Sequence, residues 1–329
     1  MPEHAALAER LARRDRDAVP EALNLLDDRR PGRREAALGL LATLERAAAA
    51  QTNAGAARIG ITGAPGAGKS TLLDALVRRL RARGQTVGIV AVDPSSRVSG
   101  GALLGDRARV RSGARDRGVF FRSMAARERL GGLADATWPS MAVLSAVFDV
   151  VFVETVGVGQ SEAEVTELVD TLLFVAQPGA GDVLQFMKAG ILEHPDVFAV
   201  NKADVGAAAE RTAGELAAGL SLGAQADADW RPPVLLVSAR DGRGIDELAD
   251  ALAAHRAHLV ASGELAERRR RARTAYVSDT LERRYGSFGV ERIGGREALR
   301  ARADAGHGAG FETALAIGRE IEAALGKPA

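Results

Sequence analysis

The segment that most constrains the fold is a glycine-rich loop between a short apolar stretch, 59–62, and a helical stretch. It follows the GxxxxGK[ST] phosphate-loop pattern, with the glycines spaced so that backbone N–H groups can turn inward around a phosphate. The helix N-terminus adds a partial positive charge at the same place. The loop residues are Gly63, Ala64, Pro65, Gly66, Ala67, Gly68, Lys69, Ser70 and Thr71. The pattern predicts a nucleotide site in which Lys69 reaches the β- and γ-phosphates and Ser70 contacts Mg²⁺.

A second motif, NKAD at residues 201–204, indicates which base the nucleotide carries. The Asp204 carboxylate can accept hydrogen bonds from guanine N1–H and the 2-amino group, whereas adenine offers neither donor. Such a site can reject the wrong base by roughly 10⁴-fold. We expect Asn201 to brace the loop and the Lys202 stem to lie along the base. Ser238, Ala239 and Arg240 follow another apolar run and suit an accessory loop that meets guanine O6.

Glu154-Thr155-Val156-Gly157 stands between these motifs, where many GTPases carry DxxG. Glu154 is predicted to act on Mg²⁺ and Gly157 to meet the γ-phosphate through its N–H. Val158 occupies the position at which other enzymes orient water with glutamine, so slow intrinsic hydrolysis is expected. Asp93 and Asp106 are further candidates for Mg²⁺ or water contacts, with ordinary turn chemistry as the alternative.

The alternation of short apolar runs with amphipathic stretches predicts an α/β fold. We expect a P-loop NTPase with a mainly parallel central sheet flanked by helices, plus helical N- and C-terminal extensions. The predicted domains are 1–57 (helical extension), 58–260 (G domain) and 261–329 (helical arm). The predicted strands are 58–62, 87–92, 119–122, 149–154, 171–176, 197–200 and 234–237.

Composition excludes several classes of function. The 44 basic and 43 acidic residues give a net charge of +1, so no overall field attracts nucleic acid. The chain has no cysteine, hence no disulfide or thiolate metal site. No signal peptide or membrane span is evident, and we expect a soluble, cytoplasmic protein. The arginine-rich run at 268–273 follows Glu264 and Glu267, which favours a solvated helix face or a salt-bridged dimer arm over a nucleic-acid site.

These motifs together resemble the MeaB/ArgK-type GTPases of the G3E group. The resemblance rests on segments that include ETVGVGQSE at 154–162 and PGAGDVLQ at 178–185. It implies a Mg²⁺-dependent, homodimeric GTPase that binds GTP and GDP. The implied partner is an adenosylcobalamin-dependent acyl-CoA mutase, methylmalonyl-CoA mutase first of all, whose cofactor loading and protection the GTPase controls. No cobalamin is expected on this chain itself, and neither nucleic acid nor membrane is an expected partner.

The resemblance also implies three switch segments, 93–106, 154–162 and 177–188. Lys188, in the third switch segment, is the candidate residue for mutase-stimulated hydrolysis. The alternative is that Lys188 is a surface lysine without a catalytic role. Val183 stands where the family commonly has glutamate, and the neighbouring 186–190 segment is less basic than expected. A mutase other than the methylmalonyl enzyme is therefore an open alternative.

Two other functions compete with this interpretation. Nickel-insertion GTPases of the HypB and UreG type share the phosphate loop but need metal-holding segments. His255 and His258 have ligand spacing without companions, and we expect them at the surface. A transport-linked regulatory kinase or ATPase is the second alternative, and the NKAD motif argues against ATP.

Overall fold

The computed structural model describes residues 3–28, 30, 32–49, 55–94, 116–126, 134–155, 165–179, 194–223, 229–306 and 310–326. The described helices are α1 (Glu3–Ala12), α2 (Val19–Asp27), α3 (Arg33–Ala49), α4 (Lys69–Ala82), α5 (Ala134–Val147), α6 (Ala207–Gly223), α7 (Ile245–Ser262), α8 (Glu264–Glu291), α9 (Gly295–Asp304) and α10 (Gly310–Leu325). Short 3₁₀ turns lie at Arg16–Ala18 and Ala203–Val205. The strands are β1 (Ala57–Thr62), β2 (Val87–Pro94), β3 (Val119–Ala126), β4 (Val150–Thr155), β5 (Thr171–Ala176), β6 (Val197–Val200) and β7 (Val234–Leu236).

All seven strands form one sheet, in the order β3-β2-β4-β1-β5-β6-β7. Every pairing is parallel, which confirms the predicted α/β class and the predicted parallel sheet. The sheet lies in a compact unit made of Ala57–Ala126 and Asp149–Leu265. Because β1 is central, the loop that follows it emerges between the carboxyl ends of β4 and β5, where ligands bind in open parallel sheets.

Both faces of the sheet are buried by apolar side chains. On β5, Leu173 and Val175 pack into the cluster that contains Leu72 and Leu76 of α4 and Leu248 of α7. The alternate β5 residues, Phe174 and Ala176, point to the opposite face and pack with Phe198 and Leu216 of α6. Helices therefore cover the sheet on both sides, as continuous apolar strands require.

The second compact unit consists of Met1–Ala56, Arg127–Phe148 and Ala266–Ala329, and each secondary-structure element described in it is a helix. Trp138 of α5 stacks on Tyr276 of α8 at 5.6 Å between ring centroids, and Tyr276 contacts Phe311 of α10 edge-on at 5.3 Å. α5 also packs against α1, α2 and α3 and so contacts helices near both ends of the chain. Its sequence nevertheless falls inside the range predicted for the G domain. The three predicted domain ranges stay a prediction.

The arginine-rich run lies on α8 and takes part in ion pairs within the helical unit. Arg270 pairs with Glu267 at 2.7 Å and also with Asp304, and Arg271 pairs with Glu267 at 3.6 Å. The hydrogen bond from Arg270 lowers the pKa of Glu267 below its ordinary value. These ion pairs lie within the chain, and the predicted solvated helix face or dimer arm stays a prediction. Among the described residues, no helix is both long and apolar enough to cross a membrane.

Candidate functional site

The phosphate loop connects β1 to α4 and passes very close to its neighbours. Gly63 has φ 137°, and a Cβ there would overlap the backbone oxygen of Val175 on β5. Gly68, with φ 86°, precedes the first residue of α4 and lies against the Asn201 amide. Both positions need a residue without a side chain, because left-handed backbone and close approach coincide. The loop therefore fits into the carboxyl edge of the sheet only as a glycine-rich segment.

Lys69 carries its ammonium group back across the loop that precedes it. Its Nζ donates to the carbonyl oxygens of Gly63 at 2.6 Å and Ala64 at 3.1 Å, and the side chain is buried. A buried ammonium needs such acceptors, because desolvation would otherwise disfavour its charge. The structure thus fixes a positive charge beside the loop whose backbone N–H groups are predicted to hold phosphates.

Ser70 and Glu154 meet at the side of the loop nearest β4. The Ser70 hydroxyl donates to Glu154 Oε1 at 2.5 Å. Glu154 is buried at the end of β4 and pairs in register with Ile61 of β1. A hydroxyl and a carboxylate oxygen are the hard donors that Mg²⁺ prefers, so the two residues fit the predicted metal site.

The side chains of the other predicted metal and catalytic residues lie outside the described part of the chain. Asp93 lies near the end of β2, paired in register with Ala125, and its side chain is outside the described residues. Asp106, Gly157 and Lys188 also lie outside them. Their predicted roles stay predictions.

Asn201 joins the predicted base loop, residues 201–204, to the phosphate loop, residues 63–70. It follows β6, is buried, and donates from Nδ2 to the carbonyl oxygens of Ala67 at 3.0 Å and Gly68 at 3.4 Å. Its Oδ1 accepts the backbone N–H of Ala239 at 3.2 Å. One amide therefore ties together three loops at the carboxyl ends of β1, β6 and β7, as the predicted bracing role requires.

Asp204 is held by the loop that follows β7. Its Oδ1 accepts the hydroxyl of fully buried Ser238 at 3.0 Å, and Ser238 Oγ in turn accepts the N–H of Asp241 at 3.2 Å. Arg240, largely exposed, reaches Asp204 Oδ2 at 3.5 Å. The carboxylate is thus oriented by a buried hydroxyl and stays 22% exposed, so it can accept hydrogen bonds from a ligand.

Lys202 and Gln177 form a contact that the sequence did not indicate. Lys202 Nζ donates to the Gly66 carbonyl and to Gln177 Oε1, both at 2.9 Å. Gln177 directly follows β5, at the same edge of the sheet as the two motifs. Its position after a strand was the available signal, although no sequence motif assigns this side chain a function of its own.

The expectation that His255 lies at the surface is wrong. His255 is fully buried on α7, with Nδ1 at 2.9 Å from Thr171 Oγ1 and Nε2 at 3.2 Å from Asp196 Oδ1. It occupies the apolar face of its helix, where the Thr171 hydroxyl is the hydrogen-bond partner of Nδ1. The Asp196 carboxylate lies close to Nε2 without the geometry of a hydrogen bond. His258 is half-buried against Trp230. Within the described ranges, no group of three or more histidine, aspartate or glutamate residues could hold a metal ion.

Comparison with known proteins identifies a family whose model matches most of the chain. The family model described as methylmalonyl-CoA mutase-associated GTPase MeaB matches residues 19–286. A protein of Pyrococcus abyssi that is named a GTPase is 50% identical over 215 residues, which are 65% of this chain and 66% of the relative. The chain thus spans just under two thirds of that protein.

Two further matches extend over more of the chain. The mitochondrial methylmalonic aciduria type A homolog of Mus musculus is 34% identical over 280 residues, 83% of this chain and 68% of the relative. A crystal structure of an LAO/AO transport system kinase superposes with a TM-score of 0.71 at 26% identity, and the match covers 99% of each chain. The similarity in sequence and fold therefore extends well beyond the phosphate loop.

Proposed function

The chain belongs to the MeaB family of methylmalonyl-CoA mutase-associated GTPases, and on this premise we propose that it is a GTP-hydrolysing switch. In this proposal it binds MgGTP at the carboxyl edge of the sheet and hydrolyses it slowly when alone. It couples that cycle to the loading and protection of an adenosylcobalamin-dependent acyl-CoA mutase.

The placement of Asp204 is the observation that carries the proposal. The carboxylate is oriented by Ser238 and lies on a loop that Asn201 ties to the phosphate loop. A ligand that binds both the phosphate loop and the Asp204 carboxylate needs phosphates at one end and paired N–H donors at the other. A guanine nucleotide has both. An adenine base would leave the carboxylate without its donors, and an unpaired polar group in such a site costs affinity.

The hydrolytic chemistry is assigned to groups around the phosphate loop. Lys69 places a positive charge beside the β- and γ-phosphates, where charge develops during transfer. Ser70 and Glu154 would hold Mg²⁺, which neutralises charge on the phosphate oxygens when it is bound. Gly157, Asp93 and Asp106 are proposed to sense the γ-phosphate and the metal, so that hydrolysis releases the switch segments. With Val158 in place of a water-orienting glutamine, the basal rate is proposed to be slow.

The partner is proposed from names that the relatives carry. The family is named for its association with methylmalonyl-CoA mutase, and the mouse relative is named for methylmalonic aciduria. Lys188 is proposed as the cation that the mutase brings to the γ-phosphate. The helical arm, 261–329, is proposed to mediate homodimerisation.

A transport-linked kinase is the second candidate function, because the superposed structure is that of a protein named a transport system kinase. Nucleotide selectivity separates the two functions. A protein that prefers ATP and passes its phosphate to a protein or small-molecule acceptor would support the kinase. The proposed switch requires a strong preference for GTP, with water as the acceptor.

The decisive experiment measures GTP turnover by the purified protein, alone and with an adenosylcobalamin-dependent acyl-CoA mutase. We expect a slow basal rate that rises several-fold with the mutase, and Lys188→Ala should remove only the increase. Asp204→Asn should weaken GTP binding and narrow the preference for GTP over ATP. Unchanged GTP affinity in Asp204→Asn would refute the base assignment, and a rate that no such mutase alters would refute the partner.

A further inference from the structure

Lys202 adopts a backbone conformation that residues with a side chain rarely accept. Its φ is 60° and its ψ is 38°, and within the described part of the chain Arg14 alone shares a positive φ among residues other than glycine. Left-handed backbone is disfavoured for L-residues with a Cβ, and such strain persists where the surroundings enforce it, often at functional sites. The contacts of Lys202 should therefore hold its backbone in this left-handed conformation.

Two contacts hold the side chain at its far end. The ammonium group lies between the Gly66 carbonyl and Gln177 Oε1, each at 2.9 Å. Near the backbone, the N–H of the next residue, Ala203, donates to the Val237 carbonyl at 2.9 Å. The lysine is thus fixed at both ends, and its four-carbon stem spans the distance between the base loop and the phosphate loop.

Gln177 is itself anchored on both sides. The carbonyl of the residue before it, Ala176, accepts the N–H of Asn201 at 2.9 Å. Two residues further on, the Gly179 N–H donates to the hydroxyl of Thr212, a buried residue of α6, at 3.4 Å. The amide of Gln177 therefore projects from a short segment that is attached to the base loop and to a helix, which is how a precise site is supported.

We propose that Gln177 is a positioning residue for guanine binding. By accepting a hydrogen bond from the Lys202 ammonium group, it keeps the lysine stem extended along the surface that the base contacts. The inference rests on the proposed function, since it assumes that a guanine base lies against that stem. Gln177 acts through Lys202, so its effect belongs to recognition of the base and leaves recognition of the phosphates unchanged.

The test compares two ligands that differ only in the nucleoside. Dissociation constants for GTP and for inorganic tripolyphosphate are measured by calorimetry on wild type, Gln177→Ala and Gln177→Glu. We expect Gln177→Ala to raise the constant for GTP roughly three- to ten-fold, the range for one ordinary hydrogen bond at an exposed position, without changing that for tripolyphosphate. Gln85→Ala, in the same unit, is the matched control and should change neither constant.

Gln177→Glu separates positioning from a general effect on the fold. Its carboxylate can still accept from Lys202 but adds negative charge near the phosphates, so both constants should rise by a similar factor. The ratio of the two constants should therefore stay near the wild-type ratio in Gln177→Glu and increase in Gln177→Ala. Equal changes for both ligands in Gln177→Ala, or none, would overturn the inference while GTP binding by wild type still stands. A wild type that fails to bind GTP would overturn the proposed function and this inference with it.

Discussion

Replacing Asn201 tests the connection among the three loops most directly. In Asn201→Ala, the carbonyl of Ala67 and the N–H of Ala239 lose their side-chain partner, and both residues are buried. A buried polar group left without a partner costs about 1–3 kcal/mol. The longer contact to Gly68, at 3.4 Å, adds little. For two such groups we expect a loss of about 2–6 kcal/mol in the free energy of unfolding.

Asn201→Asp sharpens the same test. Aspartate keeps an oxygen for the Ala239 N–H, yet it directs a second, negatively charged oxygen at the Ala67 carbonyl. It should therefore destabilise the protein at least as much as alanine does, although its shape is nearly that of asparagine. GTP affinity should fall by tenfold or more in both variants, because the base loop and the phosphate loop lose the amide that connects them. A tenfold fall corresponds to about 1.4 kcal/mol in binding free energy.

Urea unfolding followed by circular dichroism gives the stabilities, and calorimetry gives the GTP dissociation constants. Asn24→Ala, on the exposed face of α2, is the control and should change stability by less than about 0.5 kcal/mol. If Asn201→Asp were as stable as wild type and bound GTP equally well, the Asn201 amide could not be donating to the phosphate loop. Asn201 would then not be the residue that ties the three loops together.

Further outcomes follow from single contacts. Gly63→Ala should prevent folding or leave an unstable protein, because a Cβ there overlaps backbone. In Gly66→Ala the new Cβ would lie 4.0 Å from Gln177 Oε1, an ordinary contact distance, so this variant should lose only about 1 kcal/mol from left-handed strain, as thermal denaturation would show. Glu154→Gln should raise the Mg²⁺ concentration for half-maximal GTP turnover, and an unchanged Mg²⁺ dependence would remove this residue from the metal site. Burial, and then the hydrogen bond to Glu322, raise the pKa of Tyr285 to about 12, so its stabilising contribution is complete below pH 10 and is lost as the pH rises through 12. Glu322→Gln should move the tyrosine absorbance transition to lower pH, and no movement would exclude this contact.

The sheet could be predicted because its strands carry continuous apolar runs separated by glycine and polar residues. All seven predicted strands are present, and the largest difference is at β3, which continues to Ala126 instead of ending at 122. The extension follows from its partner, since Asp93 and Pro94 of β2 pair with Ala125 and Ala126. No local pattern in β3 carries that information, because strand ends are decided by the neighbouring strand.

Tertiary partners were harder to predict than secondary structure. Nothing in the sequence of α5 indicates that Trp138 stacks on Tyr276, far along the chain. His255 did carry a signal, because it continues the helical apolar stripe formed by Ile245, Leu248 and Leu252. Its ligand-like spacing from His258 drew attention to metal binding instead. A polar residue within an apolar stripe predicts a buried, hydrogen-bonded side chain before it predicts a ligand.

The acidic residues of the sheet show how position separates structural from functional groups. Asp149, Asp170 and Asp196 each precede a strand, and each accepts a backbone N–H from the segment beside that strand, at Thr86, Arg58 and Leu172. These carboxylates satisfy donors at the amino edge of the sheet, where the neighbouring strands begin.

The carboxylates assigned to the nucleotide site have the opposite placement. Glu154 lies at the end of β4, and Asp204 follows β6. Strands in a parallel sheet end together, so these groups converge on the loop after β1, whereas aspartates before strands are brought to the far edge. The same side chain thus serves the fold at one edge and the nucleotide at the other. A sequence search for further site residues in this sheet should therefore begin just after its strands, where Gln177 also lies.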